Sequence, residues 1–359
     1  MKKLIALLLA LVMVFALCAC GAKEEAPAAA PAEEAAPAEE AAPAEEVALD
    51  PIVIEFATPN ADANIESQFS AKWIEAVEAA SDGAITFNYT PGGALGNYEE
   101  LLEGTMNGVY NLTITEPSYL EAYVPESAIL SLPMLYSSYD EVTSVLDGEV
   151  GQWYNGLVSD NAGLEILNYF YCGFRYIITQ DEVTSLDDIA ANGIIMRSPN
   201  IQVYLDTLQT LGFKCETMSF SEAYSAMETG VITAVECPLQ NLYSSGYYNL
   251  CDYLLGTRHI FSSNCIVANG EWWATLPAEY VEILTSTLAE ITEAERAQCI
   301  TNEQDLLAAF ETEGVVFNEF DAESMAKINE MFAEYWTAKI EPIGAEAVDM
   351  LNVIIDAKA

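Results

Sequence analysis

The sequence predicts an α/β protein of two lobes with a helical C-terminal region. Three observations point there: strand and helix patterns alternate from residue 51 onward, the alternation restarts near residue 164, and the chain turns helical after Pro277. Residues 51–58 (PIVIEFAT) alternate apolar and polar side chains before a Pro-Asn turn, which reads as a strand. Ile65, Phe69, Trp73 and Val77 recur every four residues and predict a helix with one buried stripe. Residues 84–89 read as a second strand, ended by Pro91-Gly92-Gly93. A helix over residues 97–107 follows, with Tyr98, Leu101, Leu102 and Val109 inward, and then a strand over 110–115. In the middle of the chain, residues 164–171, 175–179, 193–197 and 230–236 read as strands and residues 201–211 as an amphipathic helix. Residues 264–269 give a last strand before helices over 279–312, 322–336 and 344–357. A crevice between two such lobes, at the carboxyl ends of strands, is where open α/β sheets bind ligands.

Charge excludes several functions. The 359 residues hold 12 Lys+Arg against 56 Asp+Glu, a net charge of −44. Nucleic acid needs clustered cations that this chain lacks, and so does docking on anionic lipid through a basic face. The first twenty residues, MKKLIALLLALVMVFALCAC, combine Lys2 and Lys3 with an apolar run over 4–17, the pattern of an export signal over residues 1–19. That run is shorter than the ~20 apolar residues of a membrane span. Leu17-Cys18-Ala19-Cys20-Gly21 resembles the bacterial lipobox, whose last cysteine is lipidated; Cys18 departs from the usual small residue. Residues 22–50 repeat PAEEAA at 31–36 and 37–42 and PAEEVA at 43–48, which reads as an extended, solvated tether on the lipidated Cys20. The remaining residues, 51–359, still carry −38. Six cysteines there (Cys172, Cys215, Cys237, Cys251, Cys265, Cys299) have no C-x-x-C spacing; disulfides and buried thiols both remain open.

Catalytic signatures are scarce. With His259 as the one histidine there is no H-E-x-x-H and no multi-histidine zinc site, and neither G-x-S-x-G nor G-x-x-x-x-G-K-[ST] occurs. There is no D-x-[DN]-x-[DN]-G calcium loop, and carboxylate pairs are expected by chance in so acidic a chain. No metal or cofactor is expected. Positive charge is more informative: residues 51–359 hold four arginines, and Arg175 and Arg197 sit at ends of predicted strands beside turn residues. A guanidinium's planar fork matches a carboxylate, either of a ligand or of a neighbouring Asp or Glu.

Six segments in order then carry a resemblance: PGGALGNYEELLEGTMNGVYNLT (91–113), VPESAILSLPMLYSSYDEV (124–142), GFR (173–175), GIIMRSPN (193–200), METGVITAVECP (227–238) and TLPAEYVEIL (275–284). Over residues 51–340 they resemble the TRAP-transporter solute receptors, the DctP-like extracytoplasmic binding proteins. The resemblance implies a periplasmic-binding-protein-like flytrap, with residues 51–172 plus about 261–300 as lobe I and 173–260 plus about 301–359 as lobe II. It implies no enzyme, a small organic acid or zwitterionic ligand, TRAP membrane subunits as partners, and an extracytoplasmic location, which the lipobox makes lipid-anchored on the outer face of the membrane, with a periplasmic location as the alternative. Arg197 matches the position that clamps a substrate carboxylate, and Arg175 a second arginine of some members. Asn200 and Phe220 fall on positions that often line the pocket, Phe220 also being readable as core. Glu116, Asn60 and Asn64 are expected on strand ends and loops facing the cleft, the asparagines also being readable as turn or cap residues. Where relatives often carry Glu-Asn-Pro, this chain has Glu236-Cys237-Pro238, which replaces an amide by a weakly polar thiol. A receptor for an ABC importer or sensor kinase, and a secreted enzyme using Glu116, remain as alternatives.

Overall fold

The computed structural model describes residues 50–358. The export signal, Cys20 and nearly all of the Ala/Glu/Pro tether lie outside the described residues. The first layer is built from β1 (Ile52–Ala57), α1 (Ile65–Ala80), β2 (Ile85–Thr90), α2 (Tyr98–Met106) and β3 (Leu112–Thr115). β1 runs parallel to both β2 and β3, as short strand–helix–strand crossovers require. α1 buries Ile65, Phe69, Trp73 and Val77, the stripe expected from their spacing. α2 starts at a capping box in which Asn97 and Glu100 satisfy each other's backbone N–H.

α3 (Tyr139–Leu146), α4 (Glu149–Ala162) and β4 (Leu164–Ile166) complete this half, and β5 (Phe170–Thr179) opens the second. There α5 (Leu186–Asn192), β6 (Ile195–Ser198), α6 (Gln202–Thr210), β7 (Lys214–Thr217), α7 (Phe220–Glu228), β8 (Ala234–Pro238), α8 (Leu239–Ser244) and β9 (Tyr253–Leu255) follow. β6 is parallel to β7 and β8. β10 (Phe261–Asn269) returns to the first half, and α9 (Gly270–Trp273), α10 (Ala278–Thr312), β11 (Val316–Asn318), α11 (Ala322–Ile340) and α12 (Ala345–Asp356) end the described chain. The strands run in one order, β2-β1-β3-β10-β5-β8-β6-β7, with two parallel groups joined through the antiparallel β10–β5 pair. α10, 35 residues and so about 52 Å long, packs on α1 of one half and on β5 and α8 of the other.

Several elements depart from the sequence reading. Where a break was expected at 172–174, β5 runs unbroken, because Gly173 at φ +98° lets the strand bend as its register with β10 shifts between Ser262 and Ser263. Residues 230–233 are turn, and β8 begins only at Ala234. α4 was missed because two glycines and two asparagines dilute its apolar pattern, yet its Val150, Tyr154 and Val158 are buried. α7, β7, β9 and β11 are short or polar and gave no periodic signal. α12 packs on α4, with Trp153 donating to Glu346 at 2.9 Å. All six cysteines among the described residues are thiols.

Candidate functional site

Parallel strands in both halves end on one space. β1 leads into Asn60, β3 ends before Glu116, β6 carries Arg197 near its end, and β8 ends at Cys237 and Pro238. Together with the loop after β2 they enclose a cavity of about 590 Å³, within the range of small-molecule sites. Its wall includes a stacked pair, Tyr98 on Tyr119 with centroids 4.8 Å apart.

The two arginines stand in different company. Arg175 lies opposite Pro238 in the antiparallel β5–β8 ladder, which puts Glu236, two residues along, on its own face. Its Nε donates to Glu236 Oε2 at 2.5 Å, Nη2 to Oε1 at 2.7 Å and Nη1 to Ser262 Oγ at 2.9 Å, while its plane lies over Tyr204. Every nitrogen of this guanidinium is committed within the protein. His259 Nε2 stands 3.3 Å from the same Glu236 oxygen, and its Nδ1 2.6 Å from Thr257 Oγ1. Burial alone would raise the Glu236 carboxyl, but Arg175 and His259 hold it down at about 2.

Arg197 is only 3% exposed, and among the described residues it has no ion-pair partner. Its Nε donates to Met218 O at 3.0 Å and its carbon Cζ lies 5.7 Å from the Phe220 ring centre. Its two terminal nitrogens have no acceptor among the described residues. Burying a cation without a counter-ion is costly, so this geometry suits an anion arriving from the cavity.

Carboxyls line the same space. Glu116 Oε1 accepts from Tyr204 Oη and from Ser262 Oγ at 3.2 Å. Glu66, in the first turn of α1 and 2% exposed, accepts at Oε1 from Asn264 Nδ2 at 3.1 Å and Cys172 Sγ at 2.9 Å. Burial raises both carboxyls, against the pull of Arg175 on Glu116 and of the Cys172 and Asn264 donors on Glu66. Asn60 is 5% exposed; its Oδ1 accepts from Tyr98 Oη at 2.5 Å while its Nδ2 has no partner among the described residues.

Of the residues singled out in the sequence, Arg197, Arg175, Phe220, Cys237, Glu116, Asn60 and Asn64 all line this cavity. Asn64 occupies the N-cap position of α1, yet its side chain makes no capping bond. Asn200 does not line it. Pro199 and Ile201 face inward, so the intervening Asn200 points outward, exposed, to a separate groove beside Glu99 and Tyr123. Glu66, Tyr98, Tyr119, Cys172, Tyr204, Ser262 and Asn264 were not anticipated at the site. Tyr98 and Tyr204 read as the inner faces of helices, and nothing local marks Glu66 apart from any acid in a first helical turn.

The comparisons agree with this architecture. A family model described as bacterial extracellular solute-binding protein, family 7, matches residues 56–341. The C4-dicarboxylate-binding periplasmic protein DctP of Rhodobacter capsulatus is 26% identical over 301 residues, 83% of this chain and 90% of that protein. A solute-binding protein of Roseobacter denitrificans, RD1_1052, is 27% identical over 252 residues, 70% of this chain and 77% of its own length. The crystal structure of the sugar acid binding protein DctPAm of Advenella mimigardefordensis with galactonate superposes with a TM-score of 0.79 at 29% identity, covering 86% of this chain and 99% of that one. With the match running through both halves and across the cavity, the chain belongs to the bacterial extracellular solute-binding proteins of family 7.

Proposed function

We propose that this chain is the receptor of a TRAP-type transporter, which captures a small carboxylate-bearing solute between its lobes and delivers it to the membrane permease. The observation that carries the reading is Arg197, a guanidinium buried at a cavity of about 590 Å³ with both terminal nitrogens free of acceptors among the described residues. Relatives named for C4-dicarboxylate and sugar acid binding support a carboxylate as the anchored group. Capture closes the lobes about the β5–β10 pair, because only the closed state lets both sides touch the solute and differential affinity shifts the population.

The test is calorimetric titration with small organic acids on the wild type and on Arg197→Ala. Truncating a buried charge partner costs about 2 to 5 kcal/mol, so a micromolar ligand should weaken by roughly 30-fold to several thousand-fold, into the range from tens of micromolar to millimolar. An Arg197→Ala protein that is folded by circular dichroism and binds as tightly as the wild type defeats the assignment. The same reading places the mature protein on the outer face of the membrane through a lipidated Cys20, followed by the acidic tether. Incorporation of labelled fatty acid that survives Cys20→Ala would refute that anchor.

A further inference from the structure

We infer that the solute is a monocarboxylate whose far end carries hydrogen-bond donors, and that Glu66 and Glu116 set this preference by rejecting a second carboxylate. This rests on the receptor reading above and narrows it. The cavity offers one fork for a carboxylate, since Arg175 turns Nε and Nη2 to Glu236 and one Nη1 N–H to Ser262, whereas both terminal nitrogens of Arg197 have no acceptor among the described residues. Opposed to that single anchor are two carboxyls on the cavity wall, Glu66 from the first half's helix α1 and Glu116 from the end of β3.

The donors that other residues give these glutamates all fall on Oε1, for Glu66 from Cys172 and Asn264 and for Glu116 from Tyr204 and Ser262. Neither Oε2 takes a hydrogen bond from another described residue. When ionised, those carboxylates offer acceptors that a ligand hydroxyl or ammonium satisfies and that repel a ligand carboxylate. A second, independent feature points the same way. Asn60 Nδ2 is buried on the same wall without an acceptor, which an oxygen of the ligand would supply. A buried donor without a partner costs free energy that a bound hydroxyl oxygen recovers. Hydroxylated acids and zwitterionic amino acids share the required chemistry, one carboxylate and a donor-bearing tail.

The experiment is calorimetry at about pH 8 on the full chain with three probes: galactonate for hydroxyls, a neutral amino acid series for ammonium, and succinate for a second carboxylate. A hydroxylated or amino-bearing monocarboxylate should bind at least about 100-fold more tightly than succinate. Hydrogen bonds to charged groups are worth roughly a factor of 10 to 100, so Glu66→Gln and Glu116→Gln should each weaken the preferred probe by about that much. Succinate should be unaffected or bind better in the same variants, a divergence that a purely structural role would not produce. Preference for galactonate identifies hydroxyls as the donors, and preference for an amino acid identifies the ammonium. Succinate binding as tightly as the best donor-bearing probe overturns the inference while leaving the receptor reading intact. So does an equal loss for both classes in the glutamine variants. Binding of none of the three also overturns the inference, whereas binding indifferent to Arg197→Ala brings down the anchor on which the receptor reading rests. The wild-type comparison decides the matter even where a variant fails to fold.

Discussion

Arg175 and Arg197 border one cavity, and their neighbours give them different work. Arg175 and Glu236 form a buried, bidentate pair extended by His259. Removing one member leaves the other charge unpaired, which typically costs 3–5 kcal/mol. Glu236→Ala or Arg175→Ala should therefore lower the urea midpoint sharply, by about that free energy, in ligand-free protein. Arg197→Ala removes a buried cation that has no ion-pair partner among the described residues, so the ligand-free midpoint should stay level or rise while solute binding is lost. Equal destabilisation by the two arginine variants would show that the roles are not divided in this way. Arg197→Lys keeps a charge but not the fork, and should bind more weakly than the wild type and more tightly than Arg197→Ala. From the sequence, both arginines were visible as strand-end cations. Which one would be neutralised was not, because Glu236 is brought beside Arg175 only by the β5–β8 register.

At the scale of elements, the joint between the lobes depends on a few backbone positions. Gly173 holds φ at +98° inside β5, and a Cβ there would stand 3.3 Å from Tyr139 Oη and 3.6 Å from Cys299 Sγ. Gly173→Ala should cost about 1–3 kcal/mol, measured by urea unfolding, since the strained φ adds to the tight contact. A variant as stable as the wild type would mean that the strand flattens without loss at this point. The loop from β2 to α2 is held by Asn97 and Glu100, so Asn97→Ala should cost about 1 kcal/mol in the same assay. α1 and α10 were legible because long stripes of apolar residues repeat at helical spacing. β5 was read as two strands because glycine and cysteine interrupt the apolar run, and the pairing with β10 that makes it continuous comes from about ninety residues away.

For the whole molecule, pH works through carboxyls shifted in opposite directions. Glu236 titrates below its unfolded value, so its contribution is present above about pH 4.5 and is lost as pH falls toward 2. Burial raises Glu66, Glu116 and Glu295, with Arg175, Tyr171 N–H and other donors opposing; these groups favour the fold at low pH and withdraw that support as pH rises above the unfolded carboxylate value of about 4.3. The net charge of −38 on residues 51–359 adds self-repulsion that grows in the same direction. Stability of the ligand-free protein should therefore peak near about pH 5 and decline toward pH 8. Urea midpoints climbing steadily from pH 4 to 8 would contradict this balance. A bound solute at 100 times its dissociation constant should restore about 2.7 kcal/mol, read as a rise in melting temperature.

What the sequence determined by itself was the periodic and the local: the alternation of strands and helices, the lack of hydrolytic signatures, and the ordered segments that carry the family resemblance. Those features survive without tertiary structure because each is written within a few consecutive turns of chain. Only the fold decided which face of a strand or helix meets the cavity. It turned Asn200 outward between Pro199 and Ile201, committed Arg175 to Glu236, left Arg197 open, and set Glu66 from one helix beside Asn264 from a distant strand. Solvent exclusion and charge pairing act through space, and the 198 residues that separate Glu66 from Asn264 hide their meeting from any local reading.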